Sequence, residues 1–185
     1  MKILYLLWIF LLLPSPHHND AERVIIRSVH LFISQNQKEQ IMAHVNDVAQ
    51  YIVKSHNTEI STVKLQKLVY YAQAWNLVWE KKPLFHQRIE AWINGPVIPE
   101  LFKQHRGHFT VNKEMCIGNS YTLTDDEKET IDVVFRAYGH LNGQQLSDIS
   151  HCERPWHKTY DAAHNGVSAT KEISHTLIYD FYKNL

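Results

Sequence analysis

The 185-residue chain is 44% hydrophobic, enough for one domain with a buried core, and its 19 Lys and Arg are matched by 19 Asp and Glu. A formal charge of zero argues against a dedicated nucleic-acid binder, which carries a basic surplus. Two cysteines, Cys116 and Cys152, stand outside any CxxC pair, so no zinc ribbon or redox motif is present and a reducing cytoplasm fits.

The N-terminus, MKILYLLWIFLLLPSPHHNDAER, places an apolar run from Ile3 to Leu13 behind one lysine, as a signal peptide does. The run is shorter than the ~20 apolar residues of a membrane-spanning helix, and no A-x-A cleavage site follows it. Met42 opens MAHVNDVAQYIV, which reads as the start of a folded domain. Lys38-Glu39, two codons upstream, is encodable as AAGGAG, a bacterial ribosome-binding sequence. The expectation is translation from Met42, with residues 1–41 an upstream extension and residues 42–185 the domain. On that reading no membrane is involved.

Val45, Val48, Ala49, Ile52 and Val53 recur at helical spacing and predict a first amphipathic helix, with Asn46 as its N-cap and Ser55-His56-Asn57 at its end. STVKLQKLVYYAQAWNLVWEKKPL predicts a second, longer and central helix. Leu65, Leu68, Val69, Ala72 and Trp79 mark its inner face, Lys64 and Lys67 lie away from it, Ser61 or Thr62 caps it, and Pro83 stops it. Arg88–Ile93 alternates polar and apolar residues, as a short strand does.

The corner that follows, Trp92-Ile-Asn94-Gly95-Pro96-Val-Ile-Pro99-Glu100, concentrates residues with backbone roles. Asn94-Gly95 tolerates positive φ, Pro96 holds Gly95 extended, and Pro99 starts a helix that Gly107 closes. This reads as a strand-to-helix corner, with no nucleophile–base pair. Thr124-Asp-Asp-Glu127 predicts a capping box and a helix burying Ile131, Val134, Phe135 and Tyr138, ended by Gly139. Residues 143–166 predict a short helix, a break, and a second helix from Pro155. Ile173, Leu177, Asp180 and Phe181 predict a last helix over the core. The fold class is mainly α, one compact helical domain with a small β element near residues 88–93.

His151-Cys152-Glu153-Arg-Pro155-Trp156-His157 gathers two imidazoles, a thiol and a carboxylate. Pro155 interrupts the run and the spacing matches no HExxH helix, so a helix-break role is the first reading; a metal- or thiol-dependent hydrolase is the alternative. With no Gly-rich phosphate loop, GxSxG or DxD pair, no enzyme activity, cofactor or metal is expected.

KLQKLVYYAQAWNLVWEKKPLF, IEAWINGPVIPELFKQHRGHF and LSDISHCERPWHKTYDAA together resemble the Panacea domain family, the relatives of SocA-type antitoxins and of phage-associated GepA proteins. The family pattern is a helix ending in KLLYYAQAW, a W..GPV.PEL corner and a late L…TH.E.PW stretch; Ser150-His151 stands here where Thr-His is usual. The resemblance covers nearly all of residues 42–185 and has no counterpart of residues 1–41. It implies a cytoplasmic antitoxin that neutralises by direct contact a cognate toxin encoded beside it. For SocA-type members it also implies an adaptor that delivers the toxin to the ClpXP protease. An antitoxin needs exposed anchors, for which Trp, Tyr and Arg are the usual choices. Tyr51, Tyr70, Trp75, His105, Arg106, His151, Glu153 and Trp156 are the candidate partner-binding residues.

Overall fold

The computed structural model describes residues 42–55, 59–168 and 171–185. All of these fall in one contact unit, Met42–Leu185. The expectations for the N-terminal extension and for His56-Asn57 lie outside the described residues.

Helix α1 (Val45–Ser55) turns its predicted valines and Ile52 inward. Its start corrects the sequence reading, because Asn46 lies inside the helix. The Asp47 carboxylate closes that end instead, accepting from the His44 N–H at 3.0 Å. Asp47 also accepts from the Asn119 N–H at 2.6 Å and the Thr122 hydroxyl at 2.9 Å, which fixes the 3-10 turn Ser120–Thr122 against α1.

Strand β1 (Ile60–Ser61) leads into α2 (Thr62–Trp79), where the Ser61 hydroxyl caps the Lys64 N–H at 3.2 Å. Strands β2 (Glu90–Trp92) and β3 (Gly95–Val97) pair antiparallel, Glu90 opposite Val97 and Trp92 opposite Gly95. The corner is thus a β-hairpin feeding a helix, where the sequence predicts a single strand. Helix α3 (Pro99–His105) begins on its proline as predicted. Strand β4 (Thr110–Val111) pairs antiparallel with β1. Four more helices follow among the described residues: α4 (Asp125–Tyr138), α5 (Gly143–Cys152), α6 (Arg154–His164) and α7 (His175–Tyr182). Both halves of the Thr124–Glu127 capping box form, and a second box joins Asn142 to Gln145 at the start of α5. The fold is mainly α.

Helix α2 is the axis, packed by α1, α3, α4, α5, α7 and the hairpin. That enclosure overturns the two-faced reading of its sequence. Lys67 is 1% exposed, whereas Trp79, predicted to face inward, is 43% exposed at the helix end. Irregular chain laid against a central helix brings backbone groups that need partners. The polar side chains of α2 supply them. Gln66 Oε1 accepts from the Ile98 N–H at 2.9 Å. Gln73 Oε1 accepts from the Leu84 and Phe85 N–H groups at 2.8 and 3.1 Å, and Asn76 Nδ2 donates to Lys82 O at 2.9 Å.

Helix α7 covers the core as predicted, but its buried residues are Ile178 and Tyr182, one position along from the predicted Leu177 and Phe181. Just before α7, the Ile173 N–H donates to Ile89 O and Lys171 O accepts from the Ala91 N–H, both at 2.8 Å. These bonds satisfy the outer edge of β2.

Candidate functional site

Three separated segments meet at the hairpin turn. From α2, Lys67 Nζ donates to Asn94 O at 2.6 Å and to Pro96 O at 2.9 Å. From α5, the Ser147 hydroxyl donates to the same Asn94 O at 2.7 Å. From α6, Trp156 Nε1 donates to Trp92 O at 2.8 Å. Gly95 makes this convergence possible. It opens strand β3 at φ +96°, the positive φ that Asn94-Gly95 is predicted to tolerate, and a Cβ there would stand 2.7 Å from Lys67 Nζ and 2.8 Å from Ser150 Oγ. Burial pushes the Lys67 ammonium down to about 7.

A second buried cluster sits beyond α5. Glu153 accepts from the Tyr182 hydroxyl at 2.5 Å and the Tyr71 hydroxyl at 3.3 Å. Burial pushes this carboxyl up to about 7, against the two tyrosine hydrogen bonds. The rings of Tyr70, Tyr71, Tyr138 and Tyr182 surround it, Tyr71 stacking on Tyr138 at 4.3 Å and meeting Tyr70 edge-on at 5.3 Å. Desolvation raises the hydroxyl pKa of Tyr70, Tyr71 and Tyr182, so all three remain protonated, and Tyr71 and Tyr182 donate to Glu153.

The His151–His157 cluster is not brought together as a reaction centre. Glu153 faces the tyrosines, His151 stacks on Trp156 at 4.2 Å, and His157 Nδ1 lies 3.2 Å from Asp161. Cys152 is exposed. Among the described residues no group of three His, Cys, Asp or Glu is placed to hold a metal ion.

The candidate partner-binding residues divide by burial. Tyr70, Glu153, Trp156 and His105 are 0%, 9%, 8% and 6% exposed, so each is buried in this conformation, with His105 on the edge of the groove beside the hairpin. Tyr51 is half-buried, its hydroxyl donating to Asp132 at 3.2 Å, and Trp75 is half-buried, its indole donating to Tyr138 at 3.3 Å. Arg106 is exposed. Of the corner residues, Glu100 reaches back to the His44 ring at 2.9 Å.

A groove runs along one side of the hairpin, between the first turn of α2 and α3, with a volume of about 150 Å³. Val63, Leu65, Val97, Leu101 and Phe102 supply apolar walls, with Trp92 and Ile93 from the hairpin. Ile93, Val63 and Phe102 are 72%, 42% and 38% exposed. Sequence reasoning missed these residues, and it missed Lys67. The available signal for Lys67 was its place three and four residues before the apolar Tyr70 and Tyr71 on the same helical face.

No solved structure matches the chain. The Antitoxin SocA of Caulobacter vibrioides (strain NA1000 / CB15N) is 29% identical over 109 residues, 52% of this chain. The chain spans 58% of that relative's length. Residues 65–157 match the family described as Antitoxin SocA-like, Panacea domain. That span begins on α2, two residues before Lys67, and ends in α6, one residue after Trp156. It therefore holds every side chain that binds the hairpin turn, and the chain belongs to the SocA-like, Panacea-domain family.

Proposed function

We propose that this chain is a cytoplasmic antitoxin that holds a protein toxin in a stoichiometric complex. The observation that carries the reading beyond family membership is the exposed apolar surface beside the family's own motifs. Val63, Ile93 and Phe102 open onto the groove, and Phe109, 91% exposed, follows its lining residue His108. Side chains of this size held in water by a rigid hairpin and two helices suit a protein contact. The buried lysine and the tyrosine-bound glutamate keep that frame rigid; neither transforms a substrate in this reading. No helix among the described residues is long and apolar enough to cross a membrane.

Expressing the adjacent reading frame alone should arrest growth, and co-expressing this chain should restore it, with both proteins eluting together. A harmless neighbour that forms no complex contradicts the reading. Delivery to a ClpXP-type protease is the finer step. It predicts that loss of the toxin in growing cells requires both this chain and the protease.

A further inference from the structure

The groove has a defined size and a defined charge. Its volume of about 150 Å³ is that of a cavity that takes one benzene-sized group, so it has room for a single large apolar side chain. Its lining includes Lys67, His105 and His108, and no carboxylate. Next to the lining residues Phe102 and His105 on α3 stand Lys103 and Arg106, both exposed and both without an ion-pair partner among the described residues. The carboxylates nearest in sequence are already engaged: Glu59 by Thr110, Glu90 by Arg88 and the Trp92 indole, and Glu100 by His44. His105 adds a buried Nε2 with no hydrogen-bond partner in a side chain 6% exposed. An unpaired polar atom in that setting is uncommon and is expected to find a partner. Lys67 is buried and bonded to Asn94 O and Pro96 O, and burial lowers the His105 pKa, so the free cations beside this apolar slot are Lys103 and Arg106. Exposed cations flanking an apolar slot select its occupant by charge as well as by shape.

We propose that this groove receives one phenylalanine- or leucine-sized side chain from the toxin, carried on a segment with acidic residues beside it that lie along Lys103, Arg106 and His108. The inference rests on the toxin-holding reading and adds where the grip is and what the gripped segment contains.

The test uses the full chain and, as probe, the purified product of the adjacent reading frame together with short overlapping peptides that tile it. Ile93→Asp alters a side chain 72% exposed, so its melting temperature should match the wild type while affinity falls at least tenfold. Arg106→Glu should weaken binding severalfold at low salt and little at high salt. Tyr121→Asp, at a side chain 91% exposed on the 3-10 turn outside the groove lining, should bind as wild type does. The peptide that binds should contain one large apolar residue flanked by Asp or Glu, and a peptide with that residue changed to Ala should not bind. A wild-type complex that Ile93→Asp and Arg106→Glu both leave intact overturns this inference and leaves the antitoxin reading standing. So does a bound segment without acidic residues, or a groove variant whose only effect is on self-association. Failure of the wild type to bind the neighbour at all overturns the antitoxin reading itself.

Discussion

Gly95→Ala isolates the convergence at the hairpin turn. The new Cβ would lie 2.7 Å from Lys67 Nζ and 2.8 Å from Ser150 Oγ, at a backbone φ of +96°. The backbone contributes about 1–2 kcal/mol, the penalty of placing an L side chain at positive φ. The clash is relieved by moving the lysine, but its ammonium then loses its bonds to Asn94 O and Pro96 O; a charge-assisted bond of this kind contributes about 1.5–3 kcal/mol. Asn94 O keeps the Ser147 hydroxyl, whereas Pro96 O is left without that donor. Counting the backbone penalty and one such bond, that to the orphaned Pro96 O, gives about 2.5–5 kcal/mol, or a melting temperature lower by roughly 8–15 °C for a protein of this size. Gly107→Ala is the control. Its φ is +88° but nothing stands within 4 Å of the added Cβ, so only the backbone penalty applies, roughly 3–6 °C. Circular-dichroism melts of the two variants decide it. Equal losses would mean that Lys67 is not held at the turn, and the account of the motifs would fail.

Other consequences are as direct. Glu153 binds its proton more tightly folded, at about 7, than unfolded, so its contribution to stability is full below the ordinary carboxyl value and is lost as pH rises through 7. The stability difference between wild type and Glu153→Gln should therefore move against the wild type by about 3 kcal/mol between pH 4 and 8, read by urea titration. Lys67 has the opposite sign: with its folded value at about 7, its contribution is present above its unfolded value and is lost as pH falls toward 7. Lys67→Met should flatten the rise of stability between pH 7 and 10 in the same titration. Tyr182→Phe, which removes the hydroxyl that donates to Glu153 and lies beside the Tyr70 hydroxyl, should destabilise by about 1–3 kcal/mol in urea. Trp156→Phe keeps most of the buried ring but strips Trp92 O of its donor, and should cost about 1–2 kcal/mol by the same measurement.

Local chemistry was readable from the sequence wherever neighbours in the chain determine it. The Thr124 capping box, Pro99 at the first turn of α3, the helix break before Pro155 and the inward residues of α1 all follow from short-range backbone demands, and all are present. Long-range demands were not readable. A lysine between Gln66 and Leu68 looks like a solvent-facing residue until the hairpin carbonyls are known to lie beside it. Gln66 and Gln73 follow the same logic, each satisfying backbone groups more than ten residues away. Asn46 had the right chemistry for a cap and lost the position to Asp47, which gains two further bonds to the turn after Gly118. For the site, the three motifs were found in sequence, but their meeting was not, and half of the candidate anchors are buried. Among the exposed large residues, Ile93, Phe102 and Val63 line the groove, residue types that sequence alone assigns to a core.

As an antitoxin of the kind proposed, this chain would act by holding a protein and converting nothing. Titrating the full chain into the purified product of the adjacent reading frame, without protease, tests it most directly when calorimetry is combined with intact-mass spectrometry. The account predicts a saturable isotherm at a fixed molar ratio, a negative heat-capacity change from apolar burial, and an unaltered partner mass. A partner whose mass changes under substoichiometric amounts of this chain would contradict it.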